Sequence, residues 1–467
     1  MRIFAGTVGA AALLLAAAGP ADAGALADIY RLAQEHDAQF ASAEAAVRAG
    51  REAYPQARAA ALPTLSASAS VSEVDREVTQ SPFSERSGSS GGTTGAPTPP
   101  FEDSFRSEQF GVALRQPLFD WGIPAQLRQG RKRVTVAELD FKSAQTQLRA
   151  RVMQAYIDYL DARAQYEFTR EERAAIASDL ERTEGRYEVG EVSVTAYREA
   201  QAAFDLAESR IIEARTALDE AREQLRRLTG QWYRTLPDIA GDIPLQPPEP
   251  RSPAEWVDIA MQYNAVYLAA LQQADIAEDE ITRRQSGLLP TVDLVAEYTD
   301  TDDTEFVFGQ AANDTSVGLE ATWQLFGGGR TRSEVREARA LYDQSHAELA
   351  NTRREIATAA RNAYRRVESA IARVRALDRA VASARVALES VEAEFEVGER
   401  TQADVLDARR DLYSALTDRA SARYGFLAGV VELKLTAGIL STEDLMRLDA
   451  RLADAGGEGA EAGVDRE

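Results

Sequence analysis

The feature that most constrains this chain is that it repeats itself. Val397-Gly398-Glu399-Arg400-Thr401-Gln402-Ala403-Asp404-Val405-Leu406-Asp407 reads as a tight turn between two long helical segments. A near-copy, Val189-Gly190-Glu191-Val192-Ser193-Val194-Thr195-Ala196, stands earlier (398 − 190 = 208). The stretch ending at Gly438 answers the one ending at Gly230 at the same offset (438 − 230 = 208), and Leu325-Phe326-Gly327 answers Leu118-Phe119-Asp120 (326 − 119 = 207). Self-similarity at a fixed period points to two halves built on one plan. This is a duplicated protein.

Each half opens with a helical pattern, Ala25 to about Arg58 and Ser252 to Arg284, and each pattern meets a proline that cannot continue it, at Leu62-Pro63 and Leu289-Pro290. The period then changes. Leu65, Ala67, Ala69 and Val71 alternate with serines, and Phe110, Val112 and Leu114 alternate with Gln109, Gly111, Ala113 and Arg115. In the second half Val292, Leu294, Ala296 and Tyr298 alternate, as do Val317, Leu319, Ala321, Trp323 and Leu325. Alternation of this kind predicts strands with one apolar and one polar face. Loops are expected between them, at Ser81–Pro100 and at Thr299–Asp314, and the first half holds the longer one.

These four strands are about 10–12 residues each, the length a tilted strand needs to cross a bilayer. Phe119, Trp121, Trp323 and Phe326 stand at the same end of both hairpins, where aromatic side chains mark a membrane interface. Four strands cannot close a barrel, and open edges are forbidden in lipid, so several chains must pool their hairpins. Two chains would give eight strands and three would give twelve.

Long helices are expected from near Ile123 to Tyr187 and from near Thr331 to Phe395, with apolar and small residues at 3-4 spacing. About 65 residues at helical rise span roughly 100 Å, so one long helix can lie beside two shorter ones stacked end to end. The plan divides into a signal peptide at 1–23, a first repeat at 24–236 with its hairpin at about 62–118, and a linker at 237–253. A second repeat at 254–440 follows, with its hairpin at about 289–326, and a C-terminal segment at 441–467 whose Gly/Ala/Glu-rich tail predicts disorder.

Composition narrows the function. Arg2, the apolar Ala10–Ala18 core and Ala21-Asp22-Ala23 read as a secretory signal, and no later stretch has the apolar length of a spanning helix. A formal charge of −22 argues against a nucleic-acid partner. With no cysteine there are no disulfides, thiolate metal sites or cysteine nucleophiles. His36 and His346 lie in polar helical stretches, and no phosphate loop, nucleophile elbow or metal-ligand cluster is present, so no catalytic residue, metal or cofactor is expected. A non-conducting exported coiled-coil scaffold of the periplasm is the alternative reading. Matched alternating strands are hard to reconcile with it.

The Val397-Gly398-x-Arg400-Thr401-x-x-Asp404-Val405-Leu406-Asp407-Ala408 run, the breaker prolines, the Leu-Phe pairs and the closing Leu435-Thr436-Ala437-Gly438 resemble TolC-type outer-membrane channels, over essentially the whole mature chain. The resemblance implies an α+β membrane protein, mostly α: a long coiled-coil α-helical barrel joined to a transmembrane β-barrel shared by a homotrimer. It implies an outer-membrane duct reaching into the periplasm of a Gram-negative cell and docking with a periplasmic adaptor and an inner-membrane transporter. The turns Val189-Gly190-Glu191 and Val397-Gly398-Glu399, with Thr401, would be the adaptor-docking tip. Asp404 and Asp407 match the carboxylates that ring the pore, six in a trimer, although Thr401-x-x-Asp404 is also a helix-start signature. Arg400 matches the arginine that latches the tip. Ala196 stands where some relatives place its acidic partner, and Phe395 where they place a tyrosine, so closure here is expected to lean less on Arg400.

Overall fold

The structure is a computed structural model that describes residues 25–78, 101–239, 243–305 and 311–453. The signal segment, the Ser/Gly/Pro stretch at 81–100 and the tail from 454 onward lie outside the described residues. The first half runs α1 (Ala25–His36), α2 (Ala38–Arg51), α3 (Ala53–Ala59), β1 (Thr64–Val78), β2 (Phe101–Phe119), α4 (Gly122–Glu188) and α5 (Val194–Thr229). After β3 (Asp238–Ile239), the second half repeats the order with α6 (Pro253–Tyr263), α7 (Ala265–Ser286), β4 (Thr291–Asp302), β5 (Ala311–Thr322), α8 (Arg330–Glu396) and α9 (Gln402–Ala437). The chain then forms α10 (Thr442–Asp449) and β6 (Leu452–Ala453).

The long helices match their expected bounds closely, at 67 residues each. The flanking helices are more broken than their pattern suggests. Asp37 starts α2: its carboxylate accepts the Phe40 N–H at 2.6 Å and a bond from Arg151 at 2.9 Å. Asn264 starts α7 in the same way, accepting from Val266 N–H at 2.9 Å and donating to the Thr436 carbonyl at 2.8 Å. Both are helix-start residue types, hidden in sequence because apolar periodicity continues across each break.

The chain folds as two compact units that cut across the sequence halves, each gathering segments from both. One holds Ala46–Asp140 and Tyr267–Thr352 and contains the four-stranded antiparallel sheet, ordered β1-β2-β4-β5. The second hairpin is longer than its apolar pattern: Thr299–Asp302 pair with Asp314–Ala311, so half of the expected polar loop is strand. Ladder hydrogen bonds need no apolar side chains, so the strands persist where the alternation fades.

Register aligns the alternation across all four strands. Leu65, Leu114, Ala296 and Val317 form one row, and Ala67, Val112, Tyr298 and Thr315 another, with side chains on one face of the sheet. Offset by one residue, Arg115 faces Val295 while its guanidinium reaches Asp293 at 2.9 Å and Glu320 at 3.5 Å on the polar face. A one-residue slip would exchange the faces, so this register is strongly specified. The outer edges of β1 and β5 have no partner strand among the described residues.

The other unit holds Phe141–Val266, Arg353 onward and the chain up to Ala45. Its core packs Leu26 and Ile29 of α1 with Tyr156, Tyr159 and Leu160 of α4, Leu225 of α5, Leu433 of α9 and Leu445 of α10. Two buried tyrosine hydroxyls here are satisfied: Tyr156 donates to the Pro237 carbonyl at 2.8 Å, and Tyr159 accepts from Leu236 N–H at 3.2 Å. Asp449 caps the start of α1 by accepting the Leu26 N–H at 3.0 Å. The linker strand β3 pairs with β6, which ties the segment between the halves to the chain's end.

Candidate functional site

Both Val-Gly turns lie in this helical unit. Gly190 has φ +78 and Gly398 φ +81, a conformation that costs a residue with a Cβ about 1–2 kcal/mol. The hydrogen bonds repeat as well. Gly190 N–H bonds the Tyr187 carbonyl and Glu191 N–H that of Arg186; Gly398 N–H bonds Phe395 and Glu399 N–H bonds Glu394. These paired bonds close the helix and leave the valine exposed at each turn.

The next helix starts differently in the two copies. Ser193 accepts the Ala196 N–H at 3.2 Å, so Ala196 contributes a backbone donor where a carboxylate would stand. Thr401 accepts from Asp404 N–H, while the Asp404 carboxylate accepts the Thr401 N–H at 2.9 Å and its hydroxyl at 2.8 Å. This reciprocal cap, with Arg400 adding attraction, holds the Asp404 carboxyl below the usual carboxylate range. Asp407 is exposed one turn on and pairs with Arg410 at 2.8 Å. The two aspartates therefore share a helix but have separate partners within one chain.

Arg400 finds its partner across its own turn, within one helical hairpin. Its Nε meets Glu394 at 2.8 Å, and that hydrogen bond raises the guanidinium above its ordinary value. Phe395 lies under Arg186, 5.6 Å from ring centroid to guanidinium carbon, which brings the two turns side by side. In the first copy Tyr187 and Tyr197 stack across the turn at 5.3 Å.

One buried ion pair between the helical hairpins α4–α5 and α8–α9 does not show in the seam pattern. Arg409 of α9 is 11% exposed, and it reaches Asp179 of α4, 4% exposed, at 3.2 Å and Glu392 of α8 at 2.5 Å. Arg182 also contacts Asp179. Arg419 ties α9 to Asp378 of α8 at 2.8 Å, and Arg210 ties α5 to Glu172 of α4 at 3.0 Å. Burial raises the Glu172 carboxyl despite that arginine and Arg410. Arg409 thus forms an ion pair between one hairpin and the other, beside the Arg186–Phe395 contact and the Ser421–Asp161 hydrogen bond. A sequence signal existed: Val405, Arg409 and Leu412 lie on one helical stripe, and so do Ile176, Asp179 and Thr183. An apolar 3-4 seam passes through Ile176, Leu180 and Thr183, yet Leu180 is only half-buried while its neighbour Asp179 is buried.

Aromatic residues frame the sheet. Phe119 ends β2 and Trp121 follows it, Trp323 and Phe326 follow β5, and all four are exposed, Phe326 at 88%. Trp323 donates to the Leu288 carbonyl at 3.1 Å, which fixes its indole beside the start of β4. Among the described residues no cluster of ligating side chains could hold a metal ion, and no helix is long and apolar enough to cross a membrane.

The family profile described as outer membrane efflux protein matches residues 29–231 and 256–438. The chain is 32% identical over 433 residues to the outer membrane protein TolC of Vibrio cholerae, covering 91% of this chain and 93% of that one. It is 30% identical over 427 residues to the alkaline protease secretion protein AprF of Pseudomonas aeruginosa, covering 90% and 85%. Among solved structures, the outer membrane protein VceC of Vibrio cholerae superposes with a TM-score of 0.73 at 19% identity, covering 88% of this chain and 96% of that one. That likeness shows the fold.

Proposed function

This chain belongs to the outer membrane efflux protein family, and from that premise we propose how it assembles and opens. It is an outer-membrane channel of the efflux or type I secretion class, extending into the periplasm. Three copies pool their sheets into a twelve-stranded barrel. The observation that carries this reading is the four-stranded sheet with one continuous apolar face and two unpaired edges. In lipid an unpaired edge leaves a row of polar backbone groups unsatisfied, and β5 of one copy against β1 of the next removes it. Phe119, Trp121, Trp323 and Phe326 sit at the bilayer interface of that barrel. The polar face, with the Arg115–Asp293–Glu320 cluster, lines the water-filled lumen.

The Val-Gly turns form the periplasmic mouth and take a periplasmic adaptor, which links the channel to an inner-membrane transporter. The exposed Val189 and Val397 supply the apolar anchors for that contact. Asp404 and Asp407 of three copies place negative charge at the mouth and favour cations there. Transport needs no covalent chemistry from this chain. Closure rests on Arg409 more than on Arg400, because Arg409 joins the two hairpins whereas Arg400 pairs within its own turn.

Planar-bilayer recording of the detergent-purified protein tests this reading. Small, cation-preferring channels are expected, with weaker cation preference in the Asp404→Asn/Asp407→Asn variant. No conductance from protein shown to be folded and trimeric would overturn the channel assignment. Unchanged selectivity would reduce both aspartates to helix-start residues.

A further inference from the structure

Two helices of the helical unit carry opposite charges that find no ion partner among the described residues. On α5, Asp205, Glu213 and Glu220 are exposed at spacings of eight and seven residues, so they follow one side of the helix. On α8, Arg365, Arg375 and Arg379 are exposed at spacings of ten and four and also share a side. Among the described residues none of the six has an ion partner, although neighbouring charges do: Asp219 with Arg222, Glu223 with Arg226, Arg366 with Glu432, and Asp378 with Arg419. Three unpaired acids on one helix and three unpaired arginines on another suggest complementary surfaces rather than solubility alone.

The two stripes lie at matching heights. Within the unit, height is measured from each turn glycine, and observed pairs follow that scale: Asp179 and Arg409, in contact, are each eleven residues from theirs (190 − 179 = 11; 409 − 398 = 11). Glu213 and Arg375 are each twenty-three residues from theirs (213 − 190 = 23; 398 − 375 = 23). Glu220 is thirty away and Arg365 thirty-three (220 − 190 = 30; 398 − 365 = 33). Asp205 is fifteen away and Arg379 nineteen (205 − 190 = 15; 398 − 379 = 19). α5 runs away from its turn and α8 runs towards its own, so they would meet antiparallel. Both buried faces are already taken: α5 buries Ala200, Ala207, Leu218 and Leu225, and α8 buries Tyr364, Val367 and Val374. The charged sides point elsewhere.

We infer that the acidic side of α5 docks on the arginine side of α8 in a neighbouring copy of this chain, with Glu213 opposite Arg375 and Glu220 near Arg365. The inference rests on the trimeric reading and specifies which residues set its register. A uniform apolar and small-residue seam tolerates sliding, whereas charges at fixed heights penalise a shifted neighbour.

The natural absence of cysteine makes the test direct. Glu213→Cys/Arg375→Cys, treated with a short bismaleimide, is expected to give covalent dimer and trimer bands on a denaturing gel, and either single variant is expected to give none. Glu213→Arg/Glu220→Arg is expected to weaken the detergent-solubilised trimer, and adding Arg365→Glu/Arg375→Glu is expected to restore it. A trimer by light scattering that yields no intermolecular cross-link would overturn the pairing and leave the trimer standing. A band of monomer mass cross-linked within one chain would also overturn it. Monomers throughout, in folded parent protein, would overturn the trimeric reading itself.

Discussion

Replacing Arg409 by methionine keeps much of the side chain's length and removes a charge that joins the two helical hairpins. In the parent, Arg409 is nearly buried and contacts Asp179 and Glu392 from a third helix. Breaking a buried ion pair by deleting one partner typically costs about 3–5 kcal/mol, because the remaining charge stays desolvated. Here Asp179 keeps Arg182, and Glu392 is well exposed to water, so about 2 kcal/mol is the better figure. At 1.4 kcal/mol per factor of ten, that is roughly a thirtyfold gain for the state in which the hairpins part. Global melting is a poor readout for a chain of two compact units, since its parts open separately. Amide hydrogen exchange resolved to α4 around Asp179 and α9 around Arg409 reads local opening directly. Exchange there should rise by about that factor, and channels in bilayers should open more often. Asp179→Asn should produce a smaller rise, and the double variant should fall short of the sum, because both remove one interaction. Exchange in Arg409→Met within about threefold of the parent at both segments would refute the argument that this residue holds the hairpins together.

Arg400→Ala should change leak conductance little, because its guanidinium pairs with Glu394 on the same turn and Ala196 offers no carboxylate; a strong rise in leak would contradict this. Gly438→Ala should lower thermal stability well beyond Gly398→Ala. A Cβ at Gly438 would lie 2.6 Å from both the Asn264 Cα and the Tyr263 carbonyl, whereas one at Gly398 meets nothing. Gly398→Ala then costs only its left-handed backbone, about 1–2 kcal/mol, and equal losses in the two variants would count against this account. Burial pushes the Glu280 carboxyl up, but hydrogen bonds from Arg283, Gln129 and Arg284 outweigh it and bring it from 4.5 down to about 2. A carboxyl lowered in the folded state stabilises above its ordinary value and loses that contribution as pH falls towards about 2. Glu280→Gln should therefore cost roughly 1–2 kcal/mol at neutral pH, after allowance for solvent screening, and flatten the acid limb of unfolding between those values. An unchanged acid limb would show that Glu280 is not held low.

Much of this molecule is legible without coordinates, for reasons that differ by element. The long helices could be bounded to within a residue or two because their apolar spacing runs unbroken and glycine marks each end. The strands could be placed because alternation is strict where one face meets an apolar phase. Their outer ends could not, because ladder hydrogen bonds carry β4 and β5 into polar sequence. The breaks at Asp37 and Asn264 went unseen since the periodicity continues through them. At the turns, the glycines, the Thr401–Asp404 cap and the lack of an acid at position 196 were all readable. The Arg400–Glu394 pair and the Phe395–Arg186 contact were not, because each depends on where a flexible side chain settles across a turn.

Local chemistry and periodicity therefore determined the duplicated plan, the helix and strand elements, the alternating faces and the turns. The tertiary structure decided which charges meet. Asp179 and Arg409 lie far apart along the chain, and their pairing depends on which face of α4 turns towards α9. A neighbouring position shifts a helical side chain by about 100°, so a seam read one residue off exchanges a buried carboxylate for a half-exposed leucine. Periodicity averages over a whole helix, whereas an ion pair depends on a single position and on the packing of two helices.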